Sequence, residues 1–162
     1  MKDMIKVGMA DMKTCEPPDS IVTVGLGSCV GIVLYDIRTR QCGMIHIMLP
    51  DSTKIKNNAN RAKFADTAIN DMLENLKRKG CAKHNIIAKI AGGAQMFGFG
   101  GDKMDTMRVG EKNVEAVKKT LSVLGIRITA EDTGLNYGRT IIFEPATGKL
   151  IIHTVGKPEK VI

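Results

Sequence analysis

The stretch that decides the fold runs from residue 20 to residue 52 and reads SIVTVGLGSCVGIVLYDIRTRQCGMIHIMLPDS. The β-branched residues of segment 20–25 favour a strand. The apolar run 29–36 is typical of a buried strand, and segment 41–49 runs back after a short polar turn. This part of the chain therefore predicts three strands, of which the last two form a β-hairpin.

The rest of the chain alternates between helical and extended patterns. Apolar residues recur at helical spacing in 60–79 and in 114–124, and Asn113 is expected to cap the second helix. Strands are predicted at 85–91, 126–132, 140–144 and 149–155, with a glycine-rich loop at 92–102. This order predicts a mixed α/β (α+β-like) fold with largely antiparallel sheets flanked by about two main helices. We expect residues 1–162 to form a single domain.

Composition excludes several classes of protein. Hydrophobic residues make up 43% of the 162 residues and charged residues 25%, which is too apolar for a disordered chain. No apolar run approaches the length of a membrane span, and the N-terminus lacks the apolar region of a signal peptide. We therefore expect a cytoplasmic protein that does not insert into membranes.

The charge balance favours an acidic partner without naming it. The net charge is +7, from 24 Lys and Arg against 17 Asp and Glu. Nucleic-acid binding would need aromatic platforms for bases, but the chain has four Phe, two Tyr and no Trp, and the Phe residues are not interleaved with basic runs. We expect no nucleic-acid partner.

The four cysteines are Cys15, Cys29, Cys42 and Cys81. None forms a C-x-x-C pair and no histidine clusters with them, so we expect neither a zinc site nor any other metal site. Disulfides are rare in cytosolic proteins, and Cys42 and Cys81 read as small buried hydrophobic residues. Cys29 differs from the others because of the residues around it.

Cys29 follows a turn that carries two glycines, Gly25 and Gly27. Such a turn permits unusual dihedral angles and can expose backbone N–H groups near the thiol. A nucleophile needs donors of this kind to hold the oxyanion of a tetrahedral intermediate, so Gly27 and Ser28 are candidate oxyanion residues. The thiol also needs a base, because only the thiolate attacks.

His46 is the candidate base because the predicted hairpin allows the two side chains to meet. If Asp36 faces Gln41, Gly31 lies opposite His46, and Cys29 is diagonal to His46 on the same face. A shift of one residue in the register would separate them. A histidine inside an apolar segment is also compatible with a buried structural residue.

A third group must orient the imidazole. Thr23 on the preceding strand and Asp51 beyond the hairpin are both possible, and the residue pattern does not choose between them. Thr23 is equally compatible with an ordinary strand residue, and Asp51 with a turn residue after Pro50.

At these residues the chain resembles a known family. Five blocks resemble those of the chemoreceptor glutamine deamidase family, CheD, in the same order: VTVGLGSCVGIVLYD, GMIHIMLPDS, AGGAQMF, VGEKN and DTGLNYGRTIIFEPATG. The resemblance covers about residues 20 to 150, and the combination of GLGSC with H-x-M-L-P-D-S is specific. The VGEKN block departs mildly, since many members read G-x-R-N where this chain has Gly110-Glu111-Lys112-Asn113.

The resemblance implies an activity and a set of residues. Cys29 matches the family's nucleophile, His46 its general acid/base and Thr23 its histidine-orienting residue. The implied substrates are glutamine side chains on the cytoplasmic helices of methyl-accepting chemotaxis receptors, which are converted to glutamate by a cysteine acyl-enzyme mechanism without a cofactor. The implied fold is similar to the cysteine hydrolase core of cytotoxic necrotizing factor toxins.

The resemblance also implies a second partner, a CheC-type phosphatase of phosphorylated CheY. The chain is then a monomer or part of a heterocomplex. Phe97 and Phe99, in the glycine-rich loop, are candidates for the wall of the substrate or partner groove. The alternative to an enzyme is a non-catalytic regulatory module that binds this phosphatase.

Overall fold

Strands dominate the computed structural model, which describes residues 2–96 and 108–162. The strands within these residues are β1 (Met4–Val7), β2 (Asp11–Cys15), β3 (Ser20–Leu26), β4 (Val30–Asp36), β5 (Cys42–Ile47), β6 (Ile86–Gly92), β7 (Arg127–Thr133), β8 (Arg139–Glu144), β9 (Lys149–His153) and β10 (Lys160–Val161). The α-helices are α1 (Ala65–Arg78) and α2 (Val109–Leu124), and short 3-10 helices occupy Ser52–Lys54, Arg61–Lys63 and Lys83–Asn85.

The strands form two mixed sheets of five strands each. The first sheet has the order β1-β3-β8-β9-β10 and the second the order β2-β5-β4-β6-β7. Only the β1–β3 and β6–β7 pairs are parallel among the described strands. The predicted class, a mixed α/β fold with largely antiparallel sheets and two main helices, is confirmed.

The second sheet is the middle layer. Its helix-facing side packs on α1 and α2, and its other side packs on the first sheet. Side chains of β4 alternate between the two cores, with Ile32 and Leu34 towards the helices and Val33 and Tyr35 towards the first sheet. Every residue of β4 and β5 is buried, which explains why these strands read as continuous apolar runs.

Both helices were predicted, but their starts differ from the sequence pattern. α1 begins at Ala65, and a 3-10 turn takes the place of the first residues of the predicted helix. α2 begins at Val109, so the expectation that Asn113 caps it is wrong. Asn113 lies inside the helix, and its buried side chain is bonded elsewhere. Neither described helix has the length and apolarity that a bilayer crossing requires.

The strands missed by the sequence pattern are β1, β2 and β10. β1 pairs with β3 and β2 pairs with β5, so both complete sheets whose other members are distant in sequence. They have two to five residues each, so their alternation of charged and apolar residues is too short for local propensity to predict a strand.

Candidate active site

The segment Gly25–Cys29, here called the nucleophile turn, includes the last two residues of β3 in the first sheet and leads into β4 of the second. Gly25 has a φ of +76°, a conformation that favours glycine. The last three carbonyl groups of the turn each accept a hydrogen bond from a distant residue. The pairs are Gly27 O with Ala94 N (2.8 Å), Ser28 O with Asn113 Nδ2 (2.9 Å) and Cys29 O with Gly93 N (2.8 Å). The turn is therefore held by the segment that follows β6 and by α2.

Glycines allow these segments to approach one another closely. A Cβ atom on Gly92, whose φ is +108°, would lie 2.3 Å from the carbonyl oxygen of Cys29. A Cβ atom on Gly110 would lie 2.3 Å from the carbonyl oxygen of Ala94. The first glycines of the predicted loop thus belong to the support of the nucleophile turn. Phe97 and Phe99, the candidate groove residues of the predicted glycine-rich loop, lie outside the described residues.

The register of the β4–β5 hairpin is the one that the sequence predicts. Gly31 is the Cα partner of His46. Continuing this register by two residues puts Cys29 diagonal to His46, and such neighbours have Cα atoms about 7–8 Å apart. Cys29 packs in the core between the two sheets, and His46 reaches Thr23 of the first sheet. Both side chains therefore lie on the same face of the second sheet.

A hydrogen-bonded chain fixes the tautomer of His46. Thr23 Oγ1 donates to the carbonyl oxygen of Val7 at 2.8 Å, so its hydrogen is already used. The same Oγ1 lies 2.7 Å from His46 Nδ1 and accepts the Nδ1–H proton. His46 Nε2 is left with a lone pair, and this fully buried atom has no hydrogen-bond partner among the described residues. An imidazole in this state is prepared to accept a proton.

Asp51, the other candidate for the orienting group, is engaged elsewhere. Its Oδ1 accepts hydrogen bonds from Thr53 N at 2.9 Å and from Thr53 Oγ1 at 2.7 Å. It caps the 3-10 helix Ser52–Lys54. The hydrogen bond to His46 is made by Thr23.

Burial shifts the pKa values of both candidate groups, Cys29 and His46, in the direction that favours their neutral forms. It raises the pKa of the Cys29 thiol, an effect that the residue's own backbone N–H only partly offsets. It also lowers the pKa of His46. The resting pair at neutral pH is therefore a thiol and a neutral imidazole, rather than a thiolate–imidazolium ion pair.

The two candidate oxyanion residues differ in their backbone donors. Gly27 N donates to the carbonyl oxygen of Gly25 at 3.1 Å, so this N–H is already used within the turn. The N–H of Ser28 has no acceptor among residues 2–96 and 108–162. Of the two, Ser28 has the donor that remains for a ligand.

Sequence reasoning missed the position of Asn113. This residue shares the buried face of α2 with Gly110 and Val117. A polar residue at helical spacing on an otherwise apolar buried face was the available signal, because buried amides are retained where they have hydrogen-bond partners.

Cysteines 15, 42 and 81 are buried and free. Cys15 and Cys42 are Cα partners across the β2–β5 pair. No group of three or more His, Cys, Asp or Glu side chains suited to a metal ion occurs in the described parts of the chain. The thiol of Cys29 thus lies on the same sheet face as an imidazole that a hydroxyl orients, and a thiol with an imidazole base is the pair used by cysteine-dependent acyl-transfer enzymes.

Comparison with known proteins identifies the family. Residues 48–154 match the family model described as CheD chemotactic sensory transduction. A Lachnoclostridium phytofermentans protein named probable chemoreceptor glutamine deamidase CheD is 61% identical over 162 residues, all of both chains. A Halalkalibacterium halodurans protein named chemoreceptor glutamine deamidase CheD is 53% identical over 163 residues, again covering both chains fully. The chain belongs to the CheD family, as the resemblance implied.

Proposed function

We propose that this protein hydrolyses the side-chain amide of glutamine residues on chemoreceptors, giving glutamate and ammonia. The observation that carries the proposal is the Thr23–His46 hydrogen bond, which leaves the lone pair of His46 Nε2 on the face shared with Cys29. The names of the two relatives that align over their full length support the same activity.

In the proposed mechanism, His46 Nε2 takes the proton of the Cys29 thiol as the sulfur attacks the glutamine carboxamide carbon. The C=O bond opens to an oxyanion, and the C–N bond then breaks as the imidazolium gives its proton to the departing ammonia. Water, deprotonated by the same imidazole, cleaves the resulting thioester to glutamate and restores the thiol. Acid–base catalysis of this kind contributes about 10²–10⁴-fold.

The other groups of the site have supporting roles in this mechanism. Thr23 holds the imidazole in the tautomer that presents a lone pair to Cys29. The N–H of Ser28 is the proposed oxyanion donor, and one such donor contributes about 10²–10³-fold in rate. The mechanism needs no metal or organic cofactor.

We also propose, from the family resemblance, that the substrate glutamines lie on the cytoplasmic helices of methyl-accepting receptors and that the protein acts in the cytoplasm. The same resemblance supports binding to a CheC-type phosphatase. If the phosphatase covers the groove above Cys29, deamidation will slow as its concentration rises. An unchanged rate at saturating phosphatase would show that the two partners use separate faces.

The direct test is tandem mass spectrometry of a receptor cytoplasmic fragment incubated with the protein. We expect a gain of about 1 Da at particular glutamines, as a deamidase replaces NH₂ by OH through its nucleophile. Cys29→Ala should abolish the gain. Cys81→Ala is the matched control, because Cys81 is a buried free cysteine outside the nucleophile turn, with 6% of its surface exposed.

This experiment also separates the enzyme from a non-catalytic binding module. A binding module leaves the fragment unmodified, and its affinity for a phosphatase is insensitive to Cys29→Ala. Deamidation that persists in Cys29→Ala would exclude the cysteine mechanism.

A further inference from the structure

We infer that Asn113 is a positioning residue: its side-chain amide ties the nucleophile turn to the strand that carries His46 and so sets the spacing of the reacting pair. This inference rests on the proposed deamidase function. Asn113 lies on α2, outside both of the segments that it joins, which are the nucleophile turn and the chain directly after β5.

The geometry consists of one amide group between two carbonyl groups. Asn113 Nδ2 donates to the carbonyl oxygen of Ser28 at 2.9 Å and to that of Met48 at 3.0 Å. Carbonyl oxygens only accept, so the group between them must be the NH₂ side of the amide, and both of its hydrogens are used. No other single polar side chain of the described residues bonds both segments.

The two carbonyls lie on either side of the reacting residues. Ser28 directly precedes Cys29, and Met48 lies two residues after His46. Continuing the β4–β5 register beyond Val30 and Ile47 makes Cys29 and Met48 opposite neighbours. The amide therefore bridges the strand pair at the point where ladder bonding of β4 and β5 ends and the nucleophile turn begins.

The bridge is anchored on a rigid support. Asn113 is fully buried, and Gly110, one helical turn earlier, packs closely against the carbonyl oxygens of Gly93 and Ala94. Those two residues donate their own N–H groups to the nucleophile turn. Helix α2 therefore holds the turn both through Asn113 and through the segment that follows β6.

The oxygen of the Asn113 amide indicates that this residue is not placed here for stability alone. Asn113 Oδ1 is buried without a hydrogen-bond partner among the described residues. Buried acceptors of this kind are uncommon and destabilising. An apolar residue would avoid this cost, but it would leave the carbonyls of Ser28 and Met48 unlinked.

A positioning role predicts a loss of turnover rather than of binding. Asn113 does not lie at the surface, so KM should change little. A small displacement of a reacting group can lower kcat by up to about 10²-fold. We expect Asn113→Ala and the nearly isosteric Asn113→Asp to lower kcat at least about tenfold, since neither can donate both hydrogen bonds.

The second readout is the alkylation rate of each cysteine, measured by peptide mass mapping after a short exposure to iodoacetamide. The other three cysteines, all buried, report general loosening of the fold. Releasing the turn should change the alkylation rate of Cys29 severalfold and leave those of the others unchanged. Val117→Ala is the matched control, because Val117 is buried one turn further along the same face of α2.

The inference is overturned if folded Asn113 variants keep kcat within about twofold of the wild type. It is also overturned if all four cysteines react faster together, or if Val117→Ala gives the same loss of kcat, since these outcomes show a general structural role. If the wild-type protein deamidates no receptor fragment, the proposed function fails. The alkylation pattern then still decides whether Asn113 positions Cys29.

Discussion

The two ends of β4 are held in opposite ways. At its far end, the turn after Asp36 is bound by its own residues: Asp36 Oδ1 accepts from Arg38 N at 2.8 Å and from Thr39 N at 3.0 Å. At its near end, the Ser28 and Cys29 carbonyls are bound by Asn113 and Gly93, which lie 64 or more residues away in the sequence. The far end is held mainly by bonds within its own turn, with one backbone bond from Ile37 N to Asn85 O at 3.0 Å, whereas the carbonyls of the near end are held by residues of other elements.

This difference matters because the near end contains the candidate reactive thiol. A turn stabilised by its own short side chain tolerates changes elsewhere in the protein. A turn held by α2 and by the segment that follows β6 couples the position of Cys29 to the packing of the helix layer on the second sheet. We therefore expect substitutions at the two ends to differ in their effects. Those at the near end should lower activity, and those at the far end should lower stability modestly.

The largest difference in deamidation rate should be between variants of two histidines, His46 and His84, which lie near opposite ends of β4. His46→Ala should lower the deamidation rate by at least about 10²-fold, because it removes the group that takes and returns the proton in the proposed mechanism. His84→Ala should leave the rate unchanged, since exposed His84 lies in the 3-10 helix Lys83–Asn85 beside the far turn. Steady-state rates on a receptor fragment measure both. Equal rates for His46→Ala and the wild type would show that His46 is not the general acid/base.

Two glycines with positive φ provide the next comparison. Gly92→Ala should cost more than about 2 kcal/mol in the free energy of unfolding and most of the activity, because its Cβ would press on the Cys29 carbonyl. Gly80→Ala, with a φ of +95° and open space around its Cβ, should cost only about 1 kcal/mol and keep the activity. Denaturant unfolding together with activity assays tests both variants. Similar losses of unfolding free energy for the two variants would mean that the structure accommodates a Cβ atom at position 92 without strain against the Cys29 carbonyl.

A smaller effect is expected at Thr23, which is buried and would act through its hydrogen bond to His46. Thr23→Val keeps the shape but loses the oxygen that accepts from His46 Nδ1–H, and should lower the rate at least about tenfold. Thr23→Ser keeps the oxygen and should restore most of the loss. If both variants behave alike, the hydroxyl does not orient the imidazole.

The smallest effect is expected at the far end. Burial alone would raise the pKa of Asp36, but hydrogen bonds from the N–H groups of Thr39 and Arg38, together with those from Cys81 and Ala82, hold the pKa below its ordinary value. Asp36→Asn should therefore cost about 1 kcal/mol at neutral pH, as charge-assisted bonds become neutral ones. The wild type's advantage is present above the ordinary carboxyl pKa and disappears as pH falls through the lowered one. Unfolding measured between neutral and acidic pH should show the two proteins converging, with deamidation at neutral pH unaffected.

The difference between bonds within a turn and bonds from distant residues also explains which features the sequence could predict. The β4–β5 register followed from the length of the turn after Asp36, a local property, and it is confirmed by the pairing of Gly31 with His46. The choice of Thr23 over Asp51 did not follow from residue pattern. It depends on the first sheet lying across from the second, and residue pattern alone carries no information about that distance.

The supports of the nucleophile turn were the hardest to predict. Val7, whose carbonyl accepts the Thr23 hydrogen, lies on a strand of four residues, which is too short for its pattern to predict a strand. Asn113 read as a helix cap, because capping is the local use of such a residue at that position. Only the helix start at Val109 puts its side chain inside the fold.

The central claim is that Cys29 forms a thioester with the glutamine side chain, and trapping with hydroxylamine tests it most directly. Hydroxylamine attacks thioesters, so the receptor fragment should gain a hydroxamate, about 16 Da above glutamine, at the same residues that otherwise become glutamate. The hydroxamate should rise as glutamate falls, and Cys29→Ala should form neither. Glutamate formation that is insensitive to hydroxylamine, or hydroxamate formed equally by Cys29→Ala, would contradict the account.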